Sequence, residues 1–409
     1  MNNQTTIRVL NEDISNFHHW RTTAFDFTKE TGIKVELEYQ WLNDYWQTII
    51  AAYTDRAGEF DVIATDEMLL PLYARRGAVL PLDEFVKRDN FDLSPFSPAA
   101  LECATVDKKL YGIPYSNMSN ILVYREDLFE RYGFEPPRTL EELRTVAIGL
   151  RNSLISDGKE QTYGLISRGK AGAGANVWIF GSTIAPSFGA RWYEEDGKPN
   201  FNSPEMIEAL TYYVDLLNKS APPDSHEIDW YNGSERYFKG EAAMFIEAGS
   251  ESARWHDLKS PISKLTKATL VPSGPGGDRH AGMYAPAWNI PSSSTNQEAA
   301  WQFIQWAASA EPAAIDLASG HIEQSRMTAL TDPRAKQRYP DDLVEAVINT
   351  KSFARNERHI EANWLPVGDA LGDAIASAIA GKSDSRSALN EAQSRIVKIH
   401  KDHSKQLTF

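Results

Sequence analysis

The order of strand-like and helix-like segments in the first 65 residues constrains this chain more than any other feature. Apolar periodicity and turn residues define five segments there. They predict a strand at 7–10, a helix with the apolar stripe Phe17, Trp20, Ala24 and Phe27, an alternating strand at 33–39, a helix at 45–50 and a buried strand at 60–64. Strands that alternate with helices are typical of an α/β domain with a parallel sheet. In such open sheets, ligands bind beyond the carboxyl ends of the strands.

The rest of the chain continues the alternation, and a length of 409 residues favours two or three domains. Strands are predicted near 109–114 and 121–124, and helices begin near Leu128 and Leu140. Ser203 and Pro204 are typical of a helix start. The helix that follows has the apolar stripe Ile207, Leu210, Val214 and Leu217, a further helix covers 300–307, and the last 70 residues are helical by pattern.

Composition excludes several classes of protein. The 42 Lys+Arg against 56 Asp+Glu give a net charge of −14, which argues against a nucleic-acid partner. Apolar runs are far shorter than the roughly 20 residues that span a bilayer. The single cysteine, Cys103, excludes an intramolecular disulfide and a cysteine-based zinc cluster, and we expect it in the core. Neither a G-x-G-x-x-G nor a Walker pattern follows a predicted strand, which argues against a phosphate-cradling loop.

The first residues lack the basic and apolar regions of a signal peptide. Two explanations stay open: a cytoplasmic protein, or one whose leader has been replaced by a start Met. The chain is also rich in aromatic residues, with 11 Trp, 16 Tyr and 17 Phe. We expect most of them in the core and the remainder available as flat faces for a ligand such as a sugar ring.

Eight phrases of the sequence, among them YFKGEAAMFIEAGS and SRGKAGAGAN, form a recognisable ordered set. They lie at Phe25–Val35, Phe60–Phe85, Lys109–Glu130, Arg138–Leu143, Gly164–Asn176, Ser187–Glu195, Tyr237–Ser250 and Ala285–Pro291. In this order they resemble the bacterial extracellular solute-binding proteins of ABC importers, family 1. The SRGKAGAGAN phrase is more similar to the branch that takes sugar alcohols and small sugars.

This resemblance implies a two-lobe α/β fold of the periplasmic-binding-protein type (type II, Venus-flytrap) with hinge crossovers. The N-terminal lobe would comprise 1–113 and 282–325, and the C-terminal lobe 114–281 and 326–409. The implied protein is a monomeric, non-enzymatic receptor, periplasmic or lipid-anchored outside the cell. It would carry a carbohydrate-like ligand to a membrane permease, with no cofactor, no metal and no nucleic-acid partner.

The expected ligand contacts lie at strand ends, at the lobe crossings and in the glycine-containing loop of the SRGKAGAGAN phrase. For some positions another role stays open. Asp13 and Asn16 could cap a helix, and Trp41 could pack in the core. Asp66 and Glu67 could lie in a solvated loop, and 170–176 could be a flexible surface loop. The predicted set is Asp13, Asn16, Trp41, Asp66, Glu67, Asn117, Ser119, Lys170, Gly172, Asn176, Glu247, Gly249, Ser250, Tyr284, Trp288, His321 and Arg326.

Two alternative functions stay open. Lys170, His321 and Arg326 suit an anionic sugar derivative such as a sugar acid, sulfosugar or sugar phosphate, because Arg recognises oxyanions well. The chain also departs from its relatives, since Glu251 stands where they commonly carry a stacking Trp. A glycoside hydrolase or lyase is the second alternative, because a pair of carboxylates in a cleft suffices for sugar cleavage.

Overall fold

The structure, a computed structural model, describes residues 4–13, 20–356 and 364–406. The described residues divide into two compact units. The first is drawn from Met1–Met118 and Tyr284–Pro340, and the second from Ser119–Met283, Asp341–Glu357 and Asn363–Phe409. The chain passes between the units at 118/119, 283/284 and 340/341. The first two crossings lie within five residues of the predicted lobe boundaries at 113/114 and 281/282. The third crossing lies fifteen residues beyond the predicted boundary at 325/326. The lobe boundaries themselves stay a prediction.

Strands and helices alternate along both units, as the sequence predicts. The strands are β1 Thr6–Glu12, β2 Lys34–Gln40, β3 Val62–Thr65, β4 Thr105–Val106, β5 Lys109–Leu110, β6 Ile113–Pro114, β7 Met118–Arg125, β8 Met244–Ala248, β9 Thr266–Leu270, β10 Ala281–Tyr284, β11 Ala287–Asn289 and β12 Ala354–Arg355. The helices are α1 Trp20–Thr31, α2 Leu42–Ala52, α3 Leu70–Arg75, α4 Asp83–Arg88, α5 Pro98–Cys103, α6 Glu126–Tyr132, α7 Leu140–Ser156, α8 Asn176–Ile179, α9 Ala185–Ser187, α10 Pro204–Ser220, α11 Trp230–Phe238, α12 Ser252–Trp255, α13 Gln297–Ala307, α14 Ala310–Ser319, α15 Pro333–Arg338, α16 Asp341–Thr350, α17 Trp364–Ile379 and α18 Ser385–Gln406.

The sheet of the first unit has the order β2-β1-β3-β11-β6. β1 runs parallel to both β2 and β3, whereas β11 is antiparallel to β3 and β6. The parallel pairs confirm the predicted α/β pattern, and they bring the carboxyl ends of β1 and β3 to the same edge. Helix α1 buries Trp20, Ala24 and Phe27 as expected and is followed by Gly32, whose φ of +75° suits glycine. Phe17 lies outside the described residues.

Aromatic side chains fill the core of the first unit. Trp288 of β11 has no exposed surface, stacks on Tyr115 at a centroid distance of 4.6 Å and meets the edge of Trp20 at 5.9 Å. Such ring pairs add about 0.5–1.5 kcal/mol each beyond the area that they bury. Cys103 is buried and unbridged, which confirms its expected core position.

In the second unit, the main sheet has the order β12-β10-β7-β8, and β9 also pairs with β7. Strands β8 and β9 both run antiparallel to β7. Helix α10 begins as predicted, because the Ser203 hydroxyl accepts the Met206 backbone N–H. Its predicted stripe is only partly right: Leu210 is buried, but Ile207 is half-buried while Tyr213 is fully buried. The helix packs against α7, α17 and α18, so its buried face is wider than one stripe.

Two glycines of α17 let the 168–176 loop approach the helix closely. A Cβ on Gly372 would lie 2.6 Å from the backbone nitrogen of Gly172 and 3.1 Å from Asn176 Oδ1. A Cβ on Gly368, one turn earlier, would lie 2.6 Å from the Ala173 Cβ. Both glycines are therefore required by packing.

We expect Gly372→Ala to lower the free energy of unfolding by about 1–3 kcal/mol, because the added methyl group overpacks the loop. Helix propensity alone predicts the opposite sign, a gain of about 1 kcal/mol. Urea unfolding measures the change. Gly276→Ala is the control, because that glycine is exposed and a Cβ there would meet nothing within 4 Å. Equal or greater stability of Gly372→Ala would contradict the packing described here.

Candidate functional site

In the first unit, carboxylates gather where β1 and β3 end. Glu12 is the last residue of β1 and Asp66 directly follows β3. Asp66 is fully buried, and both of its oxygens accept hydrogen bonds: Oδ1 from the Tyr284 hydroxyl and Oδ2 from the Trp46 indole N–H. The Tyr284 hydroxyl also lies 3.3 Å from Oε2 of Glu12. The predicted residues Asp66 and Tyr284 are thus brought together.

The electrostatics of this cluster favour hydrogen bonding with the carboxylates as acceptors. Burial, together with the neighbouring Asp66 and Glu12 carboxylates, raises the pKa of Tyr284 well above its usual value. The phenol therefore stays protonated and serves as a donor. A carboxylate has about four lone-pair positions, and these two donors fix the orientation of the Asp66 oxygens.

Three other predicted residues lie buried near these strand ends or at the start of β7. Glu67 Oε2 accepts the backbone N–H of Ala285 at 3.2 Å. The Asn117 side-chain amide donates to the Ser97 hydroxyl at 2.8 Å. Ser119 is fully buried as well. These hydrogen bonds orient the Glu67 and Asn117 side chains, and the role of all three residues toward a ligand stays a prediction.

Two more predicted residues of the N-terminal segment, Asp13 and Trp41, are partly exposed to solvent. Trp41 directly precedes α2 and is 42% exposed, which argues against the core-packing alternative. The Asp13 carboxylate lies 3.8 Å from the guanidinium of Arg21. Asn16 lies outside the described residues, and its role stays a prediction.

His321 and Arg326 have protein partners within the first unit. His321 is fully buried, with Nε2 at 2.9 Å from the Ser116 hydroxyl and Nδ1 at 2.9 Å from the Asp316 carboxylate. Arg326 donates to the Ala308 carbonyl at 3.2 Å, and burial lowers its pKa. These contacts give both side chains structural roles. Trp288 likewise packs in the aromatic core described above.

In the second unit, the predicted residue Glu247 is part of a buried ion pair. Glu247 on β8 is fully buried, and Arg168 binds it with two hydrogen bonds, one from Nε at 2.7 Å and one from Nη2. The guanidinium also donates to the Gly174 carbonyl at 3.0 Å and lies 4.4 Å from the ring centroid of Trp178. Such bidentate pairs fix the orientation of both groups.

The loop that carries Lys170, Gly172 and Asn176 is fastened to its surroundings. The Asn176 amide donates to the carbonyls of Gly169 at 3.1 Å and Gly372 at 2.9 Å. The ammonium of Lys170 pairs with Asp229 at 2.8 Å. Gly172 has a φ of +144°, which other residues rarely adopt. These bonds fasten the loop to α17 and to Asp229, and its role toward a ligand stays a prediction.

A short 3₁₀ turn, Gly249–Glu251, follows β8 and contains the predicted residues Gly249 and Ser250, both buried. Burial raises the pKa of the next carboxyl, Glu251, to about 7, opposed by the positive charge of Arg254. The Arg254 guanidinium is 3.9 Å from Glu251 Oε2. Glu251 is therefore half-protonated near neutral pH.

Sequence reasoning missed Glu12, Trp46 and Arg168 as members of these clusters. Glu12 and Arg168 could have been found, because one precedes Asp13 at a strand end and the other lies inside the SRGKAGAGAN phrase. Trp46 carries no such signal. It lies in an aromatic-rich helical segment where several rings would serve equally well.

The family model of the bacterial extracellular solute-binding protein matches residues 15–314. The chain belongs to this family. A mannitol-binding protein of Pseudomonas aeruginosa is 28% identical over 276 residues, which cover 67% of this chain and 61% of that protein. A putative ABC transporter periplasmic-binding protein of Escherichia coli is 22% identical over 310 residues, covering 71% of this chain and 68% of that protein.

Solved structures match nearly the whole chain. An ABC transporter solute-binding protein of Agrobacterium radiobacter in complex with ribitol has a TM-score of 0.86 and 25% identity, covering 97% of this chain and 98% of that chain. One of Agrobacterium vitis with bound D-mannitol has a TM-score of 0.84 and 25% identity, covering 97% and 99%. The predicted family resemblance and the two-lobe α/β fold class are confirmed.

Within the ranges that the structure describes, each helix is too short or too polar to traverse a bilayer. A grouping of three or more His, Cys, Asp and Glu side chains suited to a metal ion is absent from the same described ranges.

We expect Glu251 to destabilise the folded state progressively as pH rises from about 4.5 to about 7. In the unfolded chain Glu251 has the ordinary glutamate pKa of 4.5, whereas in the folded protein its pKa is about 7. Between these two pH values the folded state therefore binds more protons than the unfolded state, and raising the pH favours unfolding. At 1.36 kcal/mol per pKa unit, the total is about 3 kcal/mol. Urea unfolding of the wild type and Glu251→Gln at pH 4.5, 6 and 8 measures the difference between them.

The stability difference should grow with pH in favour of Glu251→Gln. Glu160→Gln, which removes an exposed carboxylate of the same unit, should show no such trend. A difference between wild type and Glu251→Gln that is constant across the three pH values would show that this carboxyl titrates normally.

Proposed function

We propose that this chain is the solute-binding component of an ABC importer that captures a sugar alcohol or small sugar and delivers it to a membrane permease. Membership of the solute-binding family supports the class of function. The names of its relatives support the class of ligand, since they include a mannitol-binding protein and solute-binding proteins with ribitol or D-mannitol bound. On this proposal the protein acts outside the cytoplasm as a monomer, without a cofactor and without catalysis.

The Asp66 cluster is the observation that carries this proposal. A polyol presents a row of hydroxyl donors, and a buried carboxylate held between Tyr284 and Trp46 is a strong, oriented acceptor for them. Binding proteins discriminate well through such groups, because a ligand that lacks the hydroxyl leaves a buried acceptor unsatisfied, at about 1–3 kcal/mol.

The basic residues that suggested an anionic ligand have protein partners. Lys170 pairs with Asp229, His321 lies between Ser116 and Asp316, and Arg326 donates to a backbone carbonyl. A ligand phosphate or carboxylate would have to compete with these partners. A neutral polyol is therefore the better fit, and we keep the anionic sugar derivative as the second candidate.

A thermal-shift panel on the ligand-stripped protein tests the ligand class. It compares neutral polyols and sugars, including D-mannitol and ribitol, with sugar acids, sulfosugars and sugar phosphates. A ligand at 100 times its Kd stabilises the folded state by about 2.7 kcal/mol, which raises Tm by several degrees. We expect shifts with neutral polyols.

Shifts confined to the anionic compounds would contradict the neutral-ligand proposal in favour of the second candidate. Oligosaccharides are incubated in parallel and recovered. Release of cleaved product would contradict the binding-protein function and favour a glycoside hydrolase or lyase.

We expect Asp66→Asn to weaken the best ligand of that panel by about 10- to 100-fold, because a charged acceptor contributes about 1.5–3 kcal/mol. Isothermal titration calorimetry measures the affinity, and circular dichroism checks that the variant is folded. Asp55→Asn, at an exposed position of the same unit, is the charge-matched control and should bind as the wild type does. Unchanged affinity in Asp66→Asn would remove this carboxylate from the ligand site.

A further inference from the structure

Several arginines of the second unit find no carboxylate partner among the residues that the structure describes, although the chain carries an excess of acidic residues. Many arginines, such as Arg125, Arg144 and Arg236, pair with nearby Asp side chains. For Arg138, Arg279 and Arg355, in contrast, the described residues provide no carboxylate at ion-pair distance. Their charge is therefore not neutralised by an ion pair with this part of the chain.

Arg279 lies between two surface cavities. One, of about 480 Å³, is lined by Ser273, Arg279 and the segment 348–353. The other, of about 450 Å³, is lined by Arg279, Thr269 and the segment 135–138. The Nε–H of Arg279 is buried and finds no hydrogen-bond acceptor among the described residues. A buried donor without an acceptor is costly, which points to a partner from solution.

Arg138 lines the second cavity together with Arg279. Its backbone is fixed: the carbonyl accepts the Ser273 backbone N–H at 2.9 Å, and its own N–H donates to Glu142 at 2.7 Å. The side chain itself is exposed. Glu142 is thus engaged by the backbone, as part of the capping box of α7, and does not neutralise the guanidinium.

The charges around these cavities are predominantly positive. Glu135 contributes one carboxylate to the lining of the second cavity, against the two guanidinium groups. Beside Arg279 in sequence, the pKa of His280 is lowered by burial and by the positive charge of Arg355, against the opposing charge of Asp278. The His280 imidazole therefore adds no charge at neutral pH, and the excess positive charge around the cavities comes from the arginines.

We propose that Arg279 and Arg138 form a binding site for a tetrahedral oxyanion, a phosphate or sulfate group, in the cavity that they share. Guanidinium groups bind such oxyanions through paired N–H donors, and Arg279 has a buried Nε–H available for this. The net positive lining favours an anion over a neutral compound. The site is independent of the sugar-alcohol ligand proposed above.

The test is a titration of the full chain, labelled with ¹⁵N, with inorganic phosphate at constant ionic strength. Arginine Nε–H signals report directly on the guanidinium groups. We expect saturable shifts of the Arg279 and Arg138 signals with a Kd in the millimolar range, and displacement by sulfate. In Arg279→Gln, the Arg138 signal should respond with at least ten-fold weaker affinity.

Arg386→Gln is the matched control, because it removes one positive charge from an exposed position of α18. This variant should bind phosphate as the wild type does. Equal phosphate affinity in Arg279→Gln and Arg386→Gln would overturn the proposal, and so would shifts that do not saturate or that chloride reproduces. The Tm of each variant without ligand shows separately whether the protein is folded. The rise in Tm with the polyol that stabilises the wild type most in the thermal-shift panel shows whether the proposed transport ligand still binds.

Discussion

A buried carboxylate has to be surrounded by hydrogen-bond donors, and this requirement organises the candidate site in each unit. Asp66 and Glu247 both stand at the carboxyl end of a buried strand, and both are fully buried. Asp66 takes its donors from a phenol and an indole, whereas Glu247 takes them from the guanidinium of Arg168 and the backbone N–H of Ala248. Without these donors, neither carboxylate could be held in the interior at an acceptable cost.

The nature of the donor determines what each carboxylate can do. A neutral phenol and a neutral indole donate to Asp66 and orient its two oxygens as hydrogen-bond acceptors. Arg168 neutralises Glu247, and a buried bidentate pair of this kind chiefly fixes geometry. The pair then positions the 168–176 loop, because the same guanidinium also binds the Gly174 carbonyl. In the second unit, this loop is therefore fastened beside a strand end whose carboxylate is neutralised.

The local sequence was a reliable guide wherever short-range periodicity and turn chemistry decide the structure. The start of α10 at Pro204 and the end of α1 before Gly32 followed from it, and so did the strand predicted at 60–64, which the structure has at 62–65. It failed for the face of α10, where Tyr213 is buried and Ile207 is only half-buried. A single stripe describes a helix that packs on one neighbour, whereas α10 contacts several helices that periodicity cannot reveal.

The sequence by itself determined the alternation of strands and helices, the family and the positions of the strand-end acids, because these depend on local patterns and on phrases in a fixed order. Only the tertiary structure decided which side chains those acids meet. Tyr284 lies 218 residues from Asp66 along the chain, and Arg168 lies 79 residues from Glu247. Partners at such separations are selected by sheet order and by packing of the chain around it, which local residue patterns do not encode.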